Sequence, residues 1–375
     1  MTRFHAAVLA SSGVPRPYAR SRPLAIEEIE APEPSAGEAL VRIKAASLCR
    51  SDLSVVNGDR AWPLPIVPGH EAAGVVEAVG PEVTAVAPGE HVALVFLARC
   101  GRCARCAEGQ AHLCEAGTRA NREGRLLTGG PRLRWRGRPL HHHMGLAAFA
   151  ELALVAEASL VRLPPEVPFT EASLFGCAVM CGAGTVLYTA GVRPGQSVAV
   201  IGLGGVGLAA VLGAVAAGAT RIVAVDPSPA KRELARALGA TDTVDATGAG
   251  VVDAIRDAAG GGVDHAVEAA GSPAAFETAF RATRRGGSTV TVGLPGAAER
   301  FALPLAQLVA EARTIKGSYI GSCVPSRDIP AFVALWRQGR LPIDRLVSGT
   351  LRLDGINEAF DRLADGAAVR QVITF

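Results

Sequence analysis

Val198-Ala199-Val200-Ile201-Gly202-Leu203-Gly204-Gly205-Val206-Gly207 is the stretch that decides the fold. Four apolar residues form a buried strand, the glycines make a G-x-G-x-x-G turn, and the apolar residues that follow, up to Gly218, form a helix. Each motif glycine has a mechanical reason. Gly202 permits the tight turn, Gly204 lets a phosphate approach the backbone, and Gly207 lets the helix pack on the strand. The helix N-terminus then meets negative charge, with Gly205 and Val206 in its first turn. Residues 198–219 are apolar for long enough to cross a bilayer. Their six glycines and their division into strand, turn and helix predict a soluble domain instead, with no membrane partner.

Outward from this loop the pattern repeats. Strands at 221–225, 263–269 and 288–292 alternate with helices at 229–238 and after Pro273, which is the signature of an α/β domain with a doubly wound parallel sheet of the Rossmann kind. Asp226 lies nineteen residues beyond Gly207, at the end of the next strand, where it accepts hydrogen bonds from an adenosine ribose. Its charge repels a 2′-phosphate, so NAD is expected rather than NADP; Lys231, one helical turn on, reaches the same ribose. From residue 1 to about 158 the chain reads differently, as short strands such as 39–43 and 74–79 separated by Pro and Gly. That predicts a mostly β domain over 1–178, a nucleotide domain over 179–320, and a return of 321–375 to the first domain through a helix near 329–338 and a final strand.

The composition narrows the partners. A net charge of +3 with 38 scattered basic residues gives no nucleic-acid footprint, and 49% hydrophobic residues over 375 positions suffice for two cores. Residues 1–10 lack the pattern of a signal peptide, so a cytoplasmic location is expected, and the eight cysteines are read as metal ligands or reactive thiols before disulfides. Cys100, Cys103, Cys106 and Cys114, spaced C-x2-C-x2-C-x7-C over a lobe at about 96–116, predict a closed tetrahedral zinc site with a structural role. Arg99, Arg102 and Arg105 either soften its charge or form a solvated basic face.

Cys49 in Leu48-Cys49-Arg50-Ser51-Asp52, His70 in Gly69-His70-Glu71, and Cys177 after Gly176 cannot be connected by spacing; taken singly, each reads as a buried thiol or a satisfied histidine. With the four-cysteine lobe, the glycine loop and the ending Val369-Arg370-Gln371-Val372-Ile373-Thr374-Phe375, however, these stretches resemble the zinc-containing medium-chain dehydrogenases, close to the classical alcohol dehydrogenases, over essentially the whole chain. The resemblance implies that the β domain is GroES-like and holds a catalytic zinc on Cys49, His70 and Cys177, making two zinc ions per chain. It also implies that Asp52 orients His70, that Glu71 stands beside the metal as an alternative ligand, and that Ser51 passes on the alcohol proton. Arg50 and Arg370 would bind the pyrophosphate, and Val292 joins the cofactor contacts. Arg60, Phe96, His143, Met144, Cys181 and Leu294 fall where the family's substrate cleft is lined. Residues 117–139 resemble a longer loop of the dimeric enzymes, which implies a homodimer.

The chain departs from that pattern at Ser54, where many relatives end the proton relay with a histidine; serine is no base at neutral pH. His143 closes the run His141-His142-His143, which is equally a surface cluster; if His143 and Arg60 do face the zinc, a substrate with a polar or acidic group is favoured. The expected activity is reversible hydride transfer between an alcohol and an aldehyde or ketone with NAD. A thiol-dependent formaldehyde dehydrogenase is the alternative enzyme, and a non-catalytic NAD- and zinc-binding protein the alternative of another class.

Overall fold

A computed structural model describes residues 1–296 and 298–375. They divide into two units: residues 1–177, 324–330 and 347–375, and residues 178–323 and 331–346. Residues 331–346, expected with the returning tail, thus belong to the second unit.

The second unit is a six-stranded parallel sheet. Its order is Asp242–Asp245, Arg221–Asp226, Ser197–Ile201, Val263–Glu268, Thr283–Thr291, Thr314–Gly317, with the earliest strand in the middle. Numbered along the chain, that order is 3-2-1-4-5-6, whose topological switch point lies beside the first strand, at the glycine loop. Strands buried on both faces need continuous apolar runs, and Ala199, Ile201, Val223, Val225 and Ala266 supply them in one core cluster. The 198–219 run divides as expected into the strand Ser197–Ile201 and the helix Gly205–Ala216. A second apolar stretch, the helical segment Phe169–Ala190, is also long enough to cross a membrane, but it is largely buried within the protein.

The first unit is mostly β. Strands Thr2–Leu9, Leu24–Ala31, Leu133–Trp135, Arg138–His142 and Ile66–Val67 close a barrel around Phe4, Val8, Ile29, Leu126 and Leu140. Beside it runs a seven-stranded sheet in which the long strand Glu38–Ser47 pairs with Ala72–Val79, Leu152–Ala156 and the last strand, Arg370–Thr374. The C-terminal return expected from the sequence is therefore present as an antiparallel pairing, Val372 opposite Ser47. It delivers Arg370 next to the segment that carries Cys49, where Leu48 N–H donates to Gln371 O at 2.9 Å.

Candidate metal and cofactor sites

Cys49 ends the run out of the strand Glu38–Ser47 and caps the helix Arg50–Val56. Its backbone N–H donates to Asp52 Oδ2 at 3.2 Å in a capping box, which satisfies one of the exposed donors of a helix start and fixes the Asp52 carboxylate. Asp52 Oδ1 then accepts from Gly69 N–H at 3.1 Å and pairs with His70 Nδ1 at 2.8 Å. With Nδ1–H spent on Asp52, His70 keeps Nε2 as its lone-pair nitrogen. That nitrogen lies 3.5 Å from Cys177 Sγ.

Two glycines make this approach possible. At Gly69, with φ +98°, a Cβ would stand 2.5 Å from Phe149 N; at Gly176 it would stand 1.9 Å from Leu94 O. Cys177 itself lies in a π-helical turn, Phe175–Val179, a local widening often found where a helix serves a site.

Ligand atoms from Cys49, His70, Glu71 and Cys177 all lie within 4.8 Å of one another, and all four residues are buried. Cys177 beside it, with Arg370 and His70, holds the Cys49 thiol well below the usual thiol range against the opposing effect of burial. Burial disfavours a charged His70, yet the Asp52 carboxylate and the Cys49 thiol together outweigh it and raise the ring's pKa. Glu71 is pushed up to about 8 by burial, although Arg370 pulls the other way. Arg370 Nη2 stands 3.1 Å from Glu71 Oε1, and Nη1 donates to Leu48 O at 3.1 Å. Neither Glu71 oxygen has a hydrogen-bond partner among the described residues. Two thiols, one imidazole with its second nitrogen anchored, and a carboxylate in reserve form a donor set that fits zinc with an open position.

Phe96 and His143 also surround His70. Phe96 meets the ring edge-on at 5.5 Å and His143 at 5.4 Å between centroids. His143 is wholly buried, and its Nδ1 lies 3.1 Å from Asp52 Oδ1, without the alignment of a formed hydrogen bond. The surface-cluster alternative for the histidine run therefore fails. His142 is buried as well, its Nε2 accepting from Arg132 N–H at 3.3 Å, while His141 is half-buried. Trp62, which the sequence did not single out, packs edge-on against His143 at 4.7 Å. No pattern in the chain marks it, since the contact is long-range.

Of the remaining positions expected to line a cleft, Arg60 and Met144 are half-buried in the first unit, with Arg60 N–H donating to Ser54 O at 2.9 Å. Cys181, buried, and Leu294, 57% exposed, belong to the second unit. Ser51 is half-buried and Arg50 exposed. The Ser54 hydroxyl donates to Ser51 O at 2.7 Å, so its proton is committed to the backbone.

The four sulfurs of Cys100, Cys103, Cys106 and Cys114 also lie within 4.8 Å of one another. Backbone N–H groups converge on them: Cys100 N–H and Gly117 N–H donate to Cys114 Sγ at 3.2 and 3.4 Å, and Cys103 N–H to Cys100 Sγ at 3.4 Å. Such donors favour thiolates. Amides of Cys106 and Glu115 lower Cys103 to about 6, whereas burial and the neighbouring sulfurs push Cys106 up to about 12. A cluster in which one thiol ionises readily and another resists fits a bound cation, because only a positive centre lets all four ionise together.

In the second unit the glycine loop has the expected geometry. Gly202 has φ +94°, a Cβ on Gly207 would stand 1.8 Å from Gly202 O, and a Cβ on Gly204 would meet open space, the side from which a phosphate can approach. Gly204 caps the helix Gly205–Ala216. Asp226, 6% exposed, accepts from Leu203 N–H through Oδ2 at 2.8 Å and from Ser228 N–H through Oδ1 at 2.9 Å. Lys231 is half-buried one turn into the helix Pro229–Ala237, and Val292 follows the strand Thr283–Thr291.

Known proteins share this arrangement. Residues 35–165 match the alcohol dehydrogenase GroES-like domain and residues 205–338 the zinc-binding dehydrogenase domain. The chain is 38% identical over 362 residues to an S-(hydroxymethyl)glutathione dehydrogenase of Escherichia coli O1:K1, covering 96% of this chain and 98% of that protein. Among solved structures, benzyl alcohol dehydrogenase from Acinetobacter calcoaceticus is 31% identical with a TM-score of 0.93 and full coverage of both chains. A zinc-binding dehydrogenase from Sinorhizobium meliloti 1021, bound to NADP, is 26% identical with a TM-score of 0.83, again over both whole chains. With both domains matched in order and near-complete coverage at 38% identity, the chain belongs to the zinc-containing medium-chain alcohol dehydrogenases, a family of oxidoreductases.

Proposed function

We propose that the chain is an NAD-dependent alcohol dehydrogenase with two zinc ions, one held by Cys49, His70 and Cys177 and one by the four-cysteine lobe. The observation that carries this is the buried Cys49, His70 and Cys177 donor set, with His70 Nδ1 fixed on Asp52. A zinc ion there would supply the Lewis acidity that makes an alcohol easier to deprotonate, and NAD would accept the hydride. The chain's own residues do the rest. Asp52 holds the imidazole tautomer, Glu71 keeps a second donor within reach under the control of Arg370, and the Ser51 hydroxyl takes the substrate proton outward. Ser54, bonded to Ser51 O, steadies that turn and does not extend the relay. Asp226 receives the adenosine ribose together with Lys231, the glycine loop, Gly205 and Val206 receive the pyrophosphate with Arg50 and Arg370, and Val292 lines the nicotinamide end.

The substrate is an alcohol or aldehyde of small size. His143 beside His70 favours one that offers a hydrogen bond, because both its ring nitrogens are buried without a hydrogen-bond partner among the described residues. A thiol conjugate of formaldehyde is the second substrate reading, supported by the 38% identity to relatives named S-(hydroxymethyl)glutathione dehydrogenase. A homodimer in the cytoplasm completes the proposal. Reduction of NAD by a panel of primary, hydroxylated and aromatic alcohols, and by formaldehyde with and without glutathione, tests it alongside metal content. No turnover on any of these, or turnover that persists after the zinc is stripped, overturns it.

A further inference from the structure

The strand end that carries Asp226 also carries a cation. Arg232, in the helix Pro229–Ala237, donates from Nη1 to Asp226 O at 2.7 Å and to Pro227 O at 2.9 Å. Its Nη2 stands 3.1 Å from Asp245 Oδ2. Asp245 pairs with Asp226 in the parallel register of the two neighbouring strands, so Arg232 bridges both strand ends. Asp245 is itself anchored, accepting from Thr247 N–H at 2.9 Å and Thr247 Oγ1 at 2.7 Å through Oδ1. Thr247, with a smaller contribution from Arg232, holds the Asp245 carboxyl below its usual range.

An arginine next to the adenosine ribose is the group that receives a 2′-phosphate in NADP-binding relatives of this fold type. Here it is turned away. Its side chain is only 17% exposed and spends its charge on two carbonyls and a carboxylate. We propose that Asp245 is a specificity-determining residue that holds Arg232 out of the ribose pocket, so that the site carries a latent receptor for a phosphomonoester and excludes it by two acids rather than one. Asp226 repels the 2′-phosphate directly, and Asp245 keeps the Arg232 guanidinium from compensating. A planar guanidinium with five donors can serve either the carbonyls or a phosphate, but not both at full strength. Removing the charge of Asp226 alone therefore leaves Arg232 paired with Asp245, and removing both charges leaves it on two neutral carbonyls, from which a phosphate dianion can draw it. This inference rests on the assignment of the glycine loop and Asp226 to a nicotinamide dinucleotide.

Binding of NADH and NADPH to the purified protein, followed by coenzyme fluorescence, tests it on the parent, Asp226→Gly, Asp245→Asn, the double variant, and the double variant with Arg232→Gln. Thermal melting without nucleotide confirms that each is folded, and Arg232→Gln keeps most of the stem and a donor in case Arg232→Ala unfolds the helix. The parent is expected to bind NADH far more tightly than NADPH, and Asp245→Asn alone to leave that order intact. The double variant is expected to bind NADPH at least tenfold more tightly than Asp226→Gly does, with the gain lost on Arg232→Gln. A double variant no better than Asp226→Gly, or a gain that survives Arg232→Gln, overturns the role of Asp245 and leaves the NAD assignment standing. A folded parent that binds neither nucleotide refutes the NAD assignment itself, and this proposal with it.

Discussion

Asp52→Asn changes one atom of a wholly buried side chain and removes one charge. The carboxylate accepts from Cys49 N–H and Gly69 N–H and pairs with His70 Nδ1, and an amide of the same shape can accept at only one of its two ends. If the amide oxygen keeps His70 and Gly69, the NH2 group faces Cys49 N–H donor to donor, and a charge-assisted bond worth about 1.5–3 kcal/mol is lost. If the amide turns over, its NH2 donates to Nδ1, the ring proton moves to Nε2, and the nitrogen 3.5 Å from Cys177 Sγ is no longer a ligand. In the milder case the imidazole still loses the negative partner that strengthens it, which weakens metal binding about 10–100-fold. That corresponds to about 1.4–2.7 kcal/mol. The assay is zinc content at equilibrium with a series of chelator-buffered free zinc levels. The four-cysteine lobe serves as internal reference, since nothing around it changes. The variant should fall from two zinc ions to one at a free zinc level at least tenfold above that of the parent. Loss of both ions together, or retention of the second within threefold of the parent, would refute the role given to Asp52.

Three further outcomes follow from the same coordinates. Ser54→His introduces a titratable ring one turn from Ser51 and should add a step near neutral pH to the rate of hydride transfer; a pH profile identical to the parent's removes position 54 from the relay. Cys114→Ser takes away the sulfur that accepts from Cys100 and Gly117, so the metal count should drop by one and the melting temperature should fall, while a count of two refutes the closed four-thiolate site. Asp264 accepts from Ser197 N–H and Oγ and from Arg284, and these bonds outweigh burial to hold its carboxyl below 3.8. Because the folded-state pKa is depressed, the stabilisation is present above about 3.8 and is lost as the pH falls through the folded value. Asp264→Asn should therefore lower stability by about 1.5–3 kcal/mol at pH 7 and by progressively less in acid, read from urea unfolding at both pH values; a gap that does not narrow in acid contradicts the assignment.

Legibility in the sequence followed the reach of the physics. The glycine loop and the cysteine lobe are built from neighbours in the chain, so spacing alone reveals the turn at Gly202 and the four convergent sulfurs. His70 and Cys177 are 107 positions apart, and only the folded sheet and the π-helical turn bring them within reach. No periodicity encodes that, and resemblance had to supply it. The three histidines show a different limit of the sequence. As a run they look alike, but the pleat of the strand Arg138–His142 sends His142 inward and leaves His141 half-buried, and the turn that follows carries His143 to Asp52. Segment 331–346, expected with the first unit, falls in the second for a similar reason, since a helix such as Pro325–Arg337 records that it has an apolar side but not which core receives it.

The two glycines that precede His70 and Cys177 press backbone against backbone, one on the amide of Phe149 and the other on the carbonyl of Leu94. Two of the segments proposed to hold the metal are thus seated on main chain, which is the same whatever side chains surround it. Phe96 and His143 meet the His70 ring, and Trp62 packs behind His143, without supporting those seats. On the proposed function the fold separates what must stay constant from what can drift: substitutions at the aromatic positions would retune which alcohol is accepted and leave the backbone seats of His70 and Cys177 in place. Adding a single methyl group at Gly69 or Gly176 would disturb every substrate equally.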